Sequence, residues 1–325
     1  MKCRVLAHRA TVSLVLCIAM ATVVRAQQGK AAEAPPGGMS ADQAIALAGQ
    51  GRCREALPVL RKTVIGGASK EQRKNAGVAG VRCALAVDDR LAAGEFLGQL
   101  NKQFPRDPDV LYVLVHAYSD LSSRSAADLG QNAAQSVEAR KLNAESLEIQ
   151  GKWDDAVKQY EEILATAPNQ SGIHYLIGRA LLSKPEPDDA RLAAAKQEFV
   201  KELEINPKNP GAEYILGEMA RQSSDWEEAI QRFSRAAKLD AGFGDAFWGW
   251  GFALLSAKRY EEAIPPLQTA VKLQPGNPSA HYNLAMALSR TGHKQEADKE
   301  FAIQKQLVAK LDAERNAQVQ SGKPQ

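Results

Sequence analysis

An interval of 34 residues runs through the second half of this chain and leaves few folds open to it. Gly217, Gly251 and Ala285 follow one another at that interval, and Ala144 and Gly178 repeat it. Each lies in an apolar segment with helical periodicity, for example HYLIGRALL, EYILGEMA and FWGWGFALL. A period of this length is one helix-turn-helix unit, which cannot bury its apolar faces alone and must stack on neighbours. The small residue is where a second helix can come close.

That second helix carries its own small residue twelve positions later, at Ala156, Ala229, Ala263 and Ala297. Four residues on comes a large side chain, Tyr160, Phe233, Leu267 or Phe301. An offset of four keeps the two on one helix face, so the alanine marks the crossing and the bulky group fills the space beside it. Pro168, Pro207 and Pro275 end second helices, while Asp107-Pro108, Asn209-Pro210 and Asn277-Pro278 open first ones. Asp or Asn accepts orphan backbone N–H groups there, and the proline after it gives up no needed donor. Ser40 to Gln43 forms a capping box for the earliest helix, and Gly51, Gly151 and Gly292 sit in turns between paired helices.

These residues resemble the tetratricopeptide repeat family. The match is clearest from Glu213, Leu216 and Gly217 through Ala229, Phe233 and Ala236, and in the next unit at Phe247, Trp250, Gly251, Ala263, Ala270 and Pro275. The resemblance implies an all-α fold, a right-handed superhelical α-solenoid of about six to eight units. Regular repeats are expected over residues 137–312, degenerate ones over 40–136, and a polar tail over 313–325. In the degenerate part the offset of twelve persists for Ala44 with Ala56, Gly80 with Ala92 and Val115 with Ala127, but Gln131 stands where the last pair needs a large apolar group. Lys184-Pro185-Glu186-Pro187 lengthens one turn and places Ala195 and Phe199 five residues late.

Residues 1–26 read as a secretory signal peptide: Lys2, Arg4 and Arg9 precede an uncharged run from Ala10 to Val24, and Val24-Arg25-Ala26 offers a cleavage site. Residues 27–39, with paired prolines and glycines, read as a flexible linker. Removing the leader's four basic residues, which no acid balances, takes the formal charge from +3 to −1. The mature chain then has no basic excess to favour nucleic acid, and no further segment apolar enough for an integral membrane span. A periplasmic or secreted location and a monomeric state are expected.

Catalytic constellations are missing from the sequence. No Gly-rich phosphate loop ending in Lys-Ser/Thr occurs, no Gly-x-Ser-x-Gly elbow and no His-Glu-x-x-His helix. His116, His174, His281 and His293 are scattered without cysteine or acid at ligand spacing. No enzyme activity, cofactor or metal is expected. Cys53 and Cys83 are the cysteines of the mature chain, placed at neighbouring points of a stacked array; either they form a disulfide or they are two buried thiols.

The residue three before each small one should face the concave side, which gives Tyr112, Lys141, Tyr175, Tyr214, Trp248 and Tyr282. Neighbouring positions add Phe252 and Arg221. Tyr175, Tyr214, Trp248, Phe252, Tyr282 and Arg221 are therefore the candidate partner-binding residues, with Trp248 and Phe252 expected to be exposed. The family's clamp for C-terminal carboxylates is not matched, since Glu145 follows Lys141 where asparagine would be needed. The expected function is a protein-binding scaffold of the cell envelope; the alternative is a glycan- or small-ligand-binding module using the same groove.

Overall fold

The computed structural model describes residues 38–66, 68–185 and 188–320, with side chains through residue 317. The signal peptide and nearly all of the linker lie outside the described residues. Everything regular within them is α-helix, fifteen in all. The chain divides into two compact units at Ser122/Ser123.

The first unit contains α1 (Ala41–Gly49), α2 (Cys53–Ile65), α3 (Lys70–Ala86), α4 (Arg90–Gln103) and the first part of α5 (Pro108–Asn132). Ser40 and Gln43 exchange the two hydrogen bonds of a capping box, and Ser69 and Gln72 do the same at α3. Asp107 caps α5 by accepting from the N–H groups of Asp109 and Val110. The core runs from Leu60 and Val64 through Phe96, Leu97 and Leu100 to Val110 and Leu114.

The second unit contains α6 (Val137–Ile149), α7 (Trp153–Thr166), α8 (Ile173–Ser183), α9 (Asp189–Ile205), α10 (Pro210–Gln222), α11 (Trp226–Leu239), α12 (Gly244–Ser256), α13 (Tyr260–Leu273), α14 (Pro278–Arg290) and α15 (Lys294–Gln320). Each helix packs on the next, and α10, α12 and α14 also touch in succession, so first helices share a face. The core is a series of small clusters along the chain. This is the additive arrangement of a helical repeat stack, an α-solenoid.

The small residues do what their spacing requires. A Cβ on Gly217 would lie 2.8 Å from the Phe233 ring, and one on Gly251 would lie 2.4 Å from Leu267 Cγ. The bulky side chain four after the second-helix alanine therefore rests directly on the first helix. Full burial of such a side chain stabilises by roughly 1.5–3 kcal/mol. Ala195 and Phe199 keep this relation to Gly178 despite the lengthened turn before them, so the extra residues are absorbed outside the core.

One expected hairpin does not form. Val115 and Ala127 lie on a single 25-residue helix, α5, with no turn between them. Six hairpin turns use a residue at positive φ, Gly51, Asp88, Gly151, Ser224, Lys258 and Gly292, and α5 has none. Seven hairpins and α5 make up the described residues. At the other end, α15 carries the helix through Gln320, into the stretch read as a polar tail.

Candidate protein-binding groove

Three helices converge on a cavity of about 290 Å³ in the second unit. From α12 come Trp248 and Phe252, one turn apart, their rings stacked with centroids 5.7 Å apart and planes at 29°. From α14 come Pro278, Ser279, Tyr282 and Asn283. Gln304 and Val308 of α15 close it, because that helix runs antiparallel to α14 and its later turns return to the α14 N-terminus. Asn277 starts α14 by accepting from the N–H groups of Ser279 and Ala280, which sets the angle at which Tyr282 leaves the helix.

The expectation that Trp248 and Phe252 form an exposed pair needs correction. Both are half-buried: their rings stack on each other, and Trp226 at the start of α11 lies edge-on to Phe252, centroids 6.2 Å apart. The Trp248 indole Nε1 is buried without a hydrogen-bond partner among the described residues. Tyr282 is the accessible member, 46% exposed, with its ring edge-on to Phe301.

The other candidate residues lie elsewhere. Tyr175 packs on Phe199, and Tyr214 is wedged between Phe233 and Phe243 at 5.6 and 4.8 Å. Burial, with smaller contributions from Glu218 and Asp245, pushes the Tyr214 hydroxyl up to about 12. Both rings therefore serve their own hairpins first. Arg221 is held by Glu218 one turn earlier, at 2.7 Å, and its guanidinium lies 5.8 Å from the Phe252 ring centre. The carboxylate of Glu218 raises the Arg221 pKa. This cation backs the aromatic cluster from outside the cavity lining.

Sequence reasoning overlooked Trp226, whose place at a second-helix start is shared by Trp153 and Tyr260 and could have marked it. Asn283 was likewise not among the candidates. Asn283 is 8% exposed and lines the cavity. A second concavity belongs to the first unit, about 520 Å³ between α1, α3 and α5, with Ile45, Val78, Arg82 and Tyr112 on its walls. Its Lys74 is already engaged by Asp107 and Asp109 at 3.0 and 3.2 Å.

Cys53 at the start of α2 and Cys83 late in α3 are joined by a disulfide, with Cα atoms 4.9 Å apart. Among the described residues no group of three or more His, Cys, Asp or Glu side chains could hold a metal ion. His174 and His281 instead meet Glu198 and Glu300, each at 2.6 Å. No helix among the described residues is long and apolar enough to cross a membrane.

Residues 142–210 match the family model described as tetratricopeptide repeat, and residues 251–292 match that described as TPR repeat. Both segments are similar to tetratricopeptide repeats. They cover α7, α8, α9, α13 and α14 in full and the end of α12, so Trp248 lies just ahead of a matched segment and Phe252 and Tyr282 within it. A curated relative, small glutamine-rich tetratricopeptide repeat-containing protein 2 of Mycosarcoma maydis, is 33% identical over 84 residues, 26% of this chain. The match spans about a quarter of that relative, 24% of its length. Among solved structures, a crystal structure of MamA is 22% identical with a TM-score of 0.46, over 52% of this chain and 96% of that one. MamA from Desulfovibrio magneticus RS-1 is 19% identical with a TM-score of 0.46, over 54% and 96%.

Proposed function

We propose that this chain is a non-enzymatic scaffold that holds a segment of a partner protein against the first helices of its tetratricopeptide repeats, in the cell envelope. The observation that carries the reading is the convergence of Trp248, Phe252 and Tyr282 on one open cavity. Aromatic side chains supply a large share of interface energy when they line a concavity on rigid helices. Export rests on the leader pattern of residues 1–26, and the joined Cys53 and Cys83 suit an oxidising compartment. The scaffold acts as a monomer in this reading.

The test is site-specific crosslinking in intact cells. A photoreactive residue replacing Tyr282 should capture a defined protein in the envelope fraction, and Trp248→Ala should remove that product while the helical signal persists. The same group replacing Ile149, an 89% exposed side chain at the end of α6, is the control. Identical products from both positions, or products only in the cytoplasmic fraction, would sink the proposal. Products with oligosaccharide in place of protein would turn the groove into a glycan site.

A further inference from the structure

We infer that the cavity between α1, α3 and α5 is a separate small-molecule site for a free amphiphilic monoanion of the medium-chain fatty carboxylate class, its head on Arg82 and its chain along Val78. All of its lining belongs to the first unit, so the site does not depend on the groove of the second. Contacts at the helix starts, Gln72 with Asp42 and Lys74 with Asp109, set α1, α3 and α5 side by side. Lys74, Val78 and Arg82 recur every fourth residue and make one stripe of α3 along the cavity, about 12 Å of helix from end to end. Ile45 and Val113 flank the middle of that stripe, and Ala79 is small enough to leave the space open. A volume of about 520 Å³ suits a whole small molecule.

Charge selects the head group. Three charged side chains line the cavity: Lys74, Asp109 and Arg82. Lys74 and Asp109 answer each other at one end, with Asp107 also on Lys74. Arg82 stands two helical turns away, exposed, and carries neither an ion pair nor a hydrogen bond among the described residues. Its guanidinium can hold a carboxylate through two parallel hydrogen bonds. A dianion spanning the cavity would bring its second charge to Asp109, and a cation would face Arg82, so a single negative charge at one end is the complement.

Apolar surface selects the tail. Ile45, Val78 and Val113 are only half-buried by the chain itself, and Tyr112 beside them is 68% exposed. The Tyr112 ring rests on His116 of its own helix, centroids 4.3 Å apart, and no neighbouring helix covers it as Phe199 covers Tyr175. An alkyl chain laid from Arg82 towards Lys74 removes this surface from water without burying a polar group.

The test is a titration of the full mature chain, ¹³C-labelled in its isoleucine, leucine and valine methyl groups and followed by NMR, with octanoate, hexanoate, octylammonium and 1-octanol. The Ile45 methyl signal, assigned through its loss in Ile45→Val, should move with octanoate and saturate. Octanoate should bind about ten-fold more tightly than hexanoate, since each buried methylene contributes roughly three- to four-fold. It should also bind about ten-fold more tightly than octylammonium or 1-octanol, the share of the charged hydrogen bonds to Arg82. Arg82→Gln, at an exposed position that does not endanger folding, should remove that advantage and leave 1-octanol binding unchanged. No Ile45 response to octanoate, equal binding of octylammonium, or unchanged octanoate affinity in Arg82→Gln overturns the inference. Tighter binding of the peptide Ac-GSVLL-OH than of octanoate overturns it too, by making the cavity a peptide site. Crosslinking from position 282 reports on the second unit alone, so the groove reading stands or falls separately.

Discussion

Nδ1 of His281 on α14 lies 2.6 Å from a carboxylate oxygen of Glu300 on α15, while Nε2 faces the Pro275 carbonyl at 3.1 Å. His281 is four residues before Ala285 and Glu300 three after Ala297. The same two places in another hairpin hold His174 and Glu198, again at 2.6 Å. In a third they hold Glu213 and Arg232 with the charges exchanged, at 3.1 Å, and in a fourth Phe247 and Pro266. Three hairpins are therefore cross-braced at one geometrical position by whichever polar pair the sequence supplies.

The Glu213 to Arg232 brace should behave as a coupled pair. Glu213 is almost fully buried, and Arg235 also approaches it at 3.6 Å. Glu213→Ala leaves Arg232 with only the longer contact to Glu228, at 3.5 Å, and should cost about 1–3 kcal/mol in urea unfolding. A double-mutant cycle with Arg232→Ala should return a favourable coupling of about 0.5–3 kcal/mol, and additive losses would deny the brace.

Gly251 should not tolerate a methyl group. Alanine normally gains about 1 kcal/mol over glycine inside a helix, but here its Cβ would meet Leu267 at 2.4 Å. Overpacking of about 1–3 kcal/mol should outweigh the gain. Gly251→Ala should lower the thermal midpoint, and Leu267→Val in the same chain should recover part of the loss.

The disulfide should matter most to the first unit. Its cysteines are 30 residues apart, and a loop of that length corresponds to about 3.5 kcal/mol in the chain-entropy model. Cys53→Ala with Cys83→Ala should lower unfolding stability by up to that amount. Alkylation of the denatured, unreduced mature chain should label neither cysteine; two labelled thiols would contradict the bond.

The lengthened turn between α8 and α9 should be acid-sensitive. Hydrogen bonds first from Lys184 and then from Arg191 hold the Asp154 carboxyl at about 2, below its ordinary value of 3.8. A depressed carboxylate pKa contributes stability that is present above the unfolded value and is lost as pH falls through the folded one. Wild type should therefore exceed Asp154→Asn in stability at pH 7, with the difference fading between about pH 4 and pH 2. Because Asp154 is more than half exposed, the difference should be small and should shrink with added salt.

Helices and their pairing could be read from the chain because their causes are local. Ser40 with Gln43, Asn209 with Pro210 and Asn277 with Pro278 cap helices through neighbours in sequence, and the spacing of Gly217 from Phe233 encodes a contact within one hairpin. The missing turn in α5 was harder to read, because a preserved offset of twelve between Val115 and Ala127 does not reveal that no residue between them takes a positive φ. Which aromatic residues meet was decided by the tertiary structure alone. Tyr175, Tyr214, Trp248 and Tyr282 occupy the same repeat position, yet the first two are absorbed by Phe199, Phe233 and Phe243 of adjoining helices. Trp248 and Tyr282 share a cavity only because α15 runs on to bring Gln304 and Val308 back across α14. Repeat periodicity places a side chain on a face; what covers that face depends on contacts made by other helices of the stack.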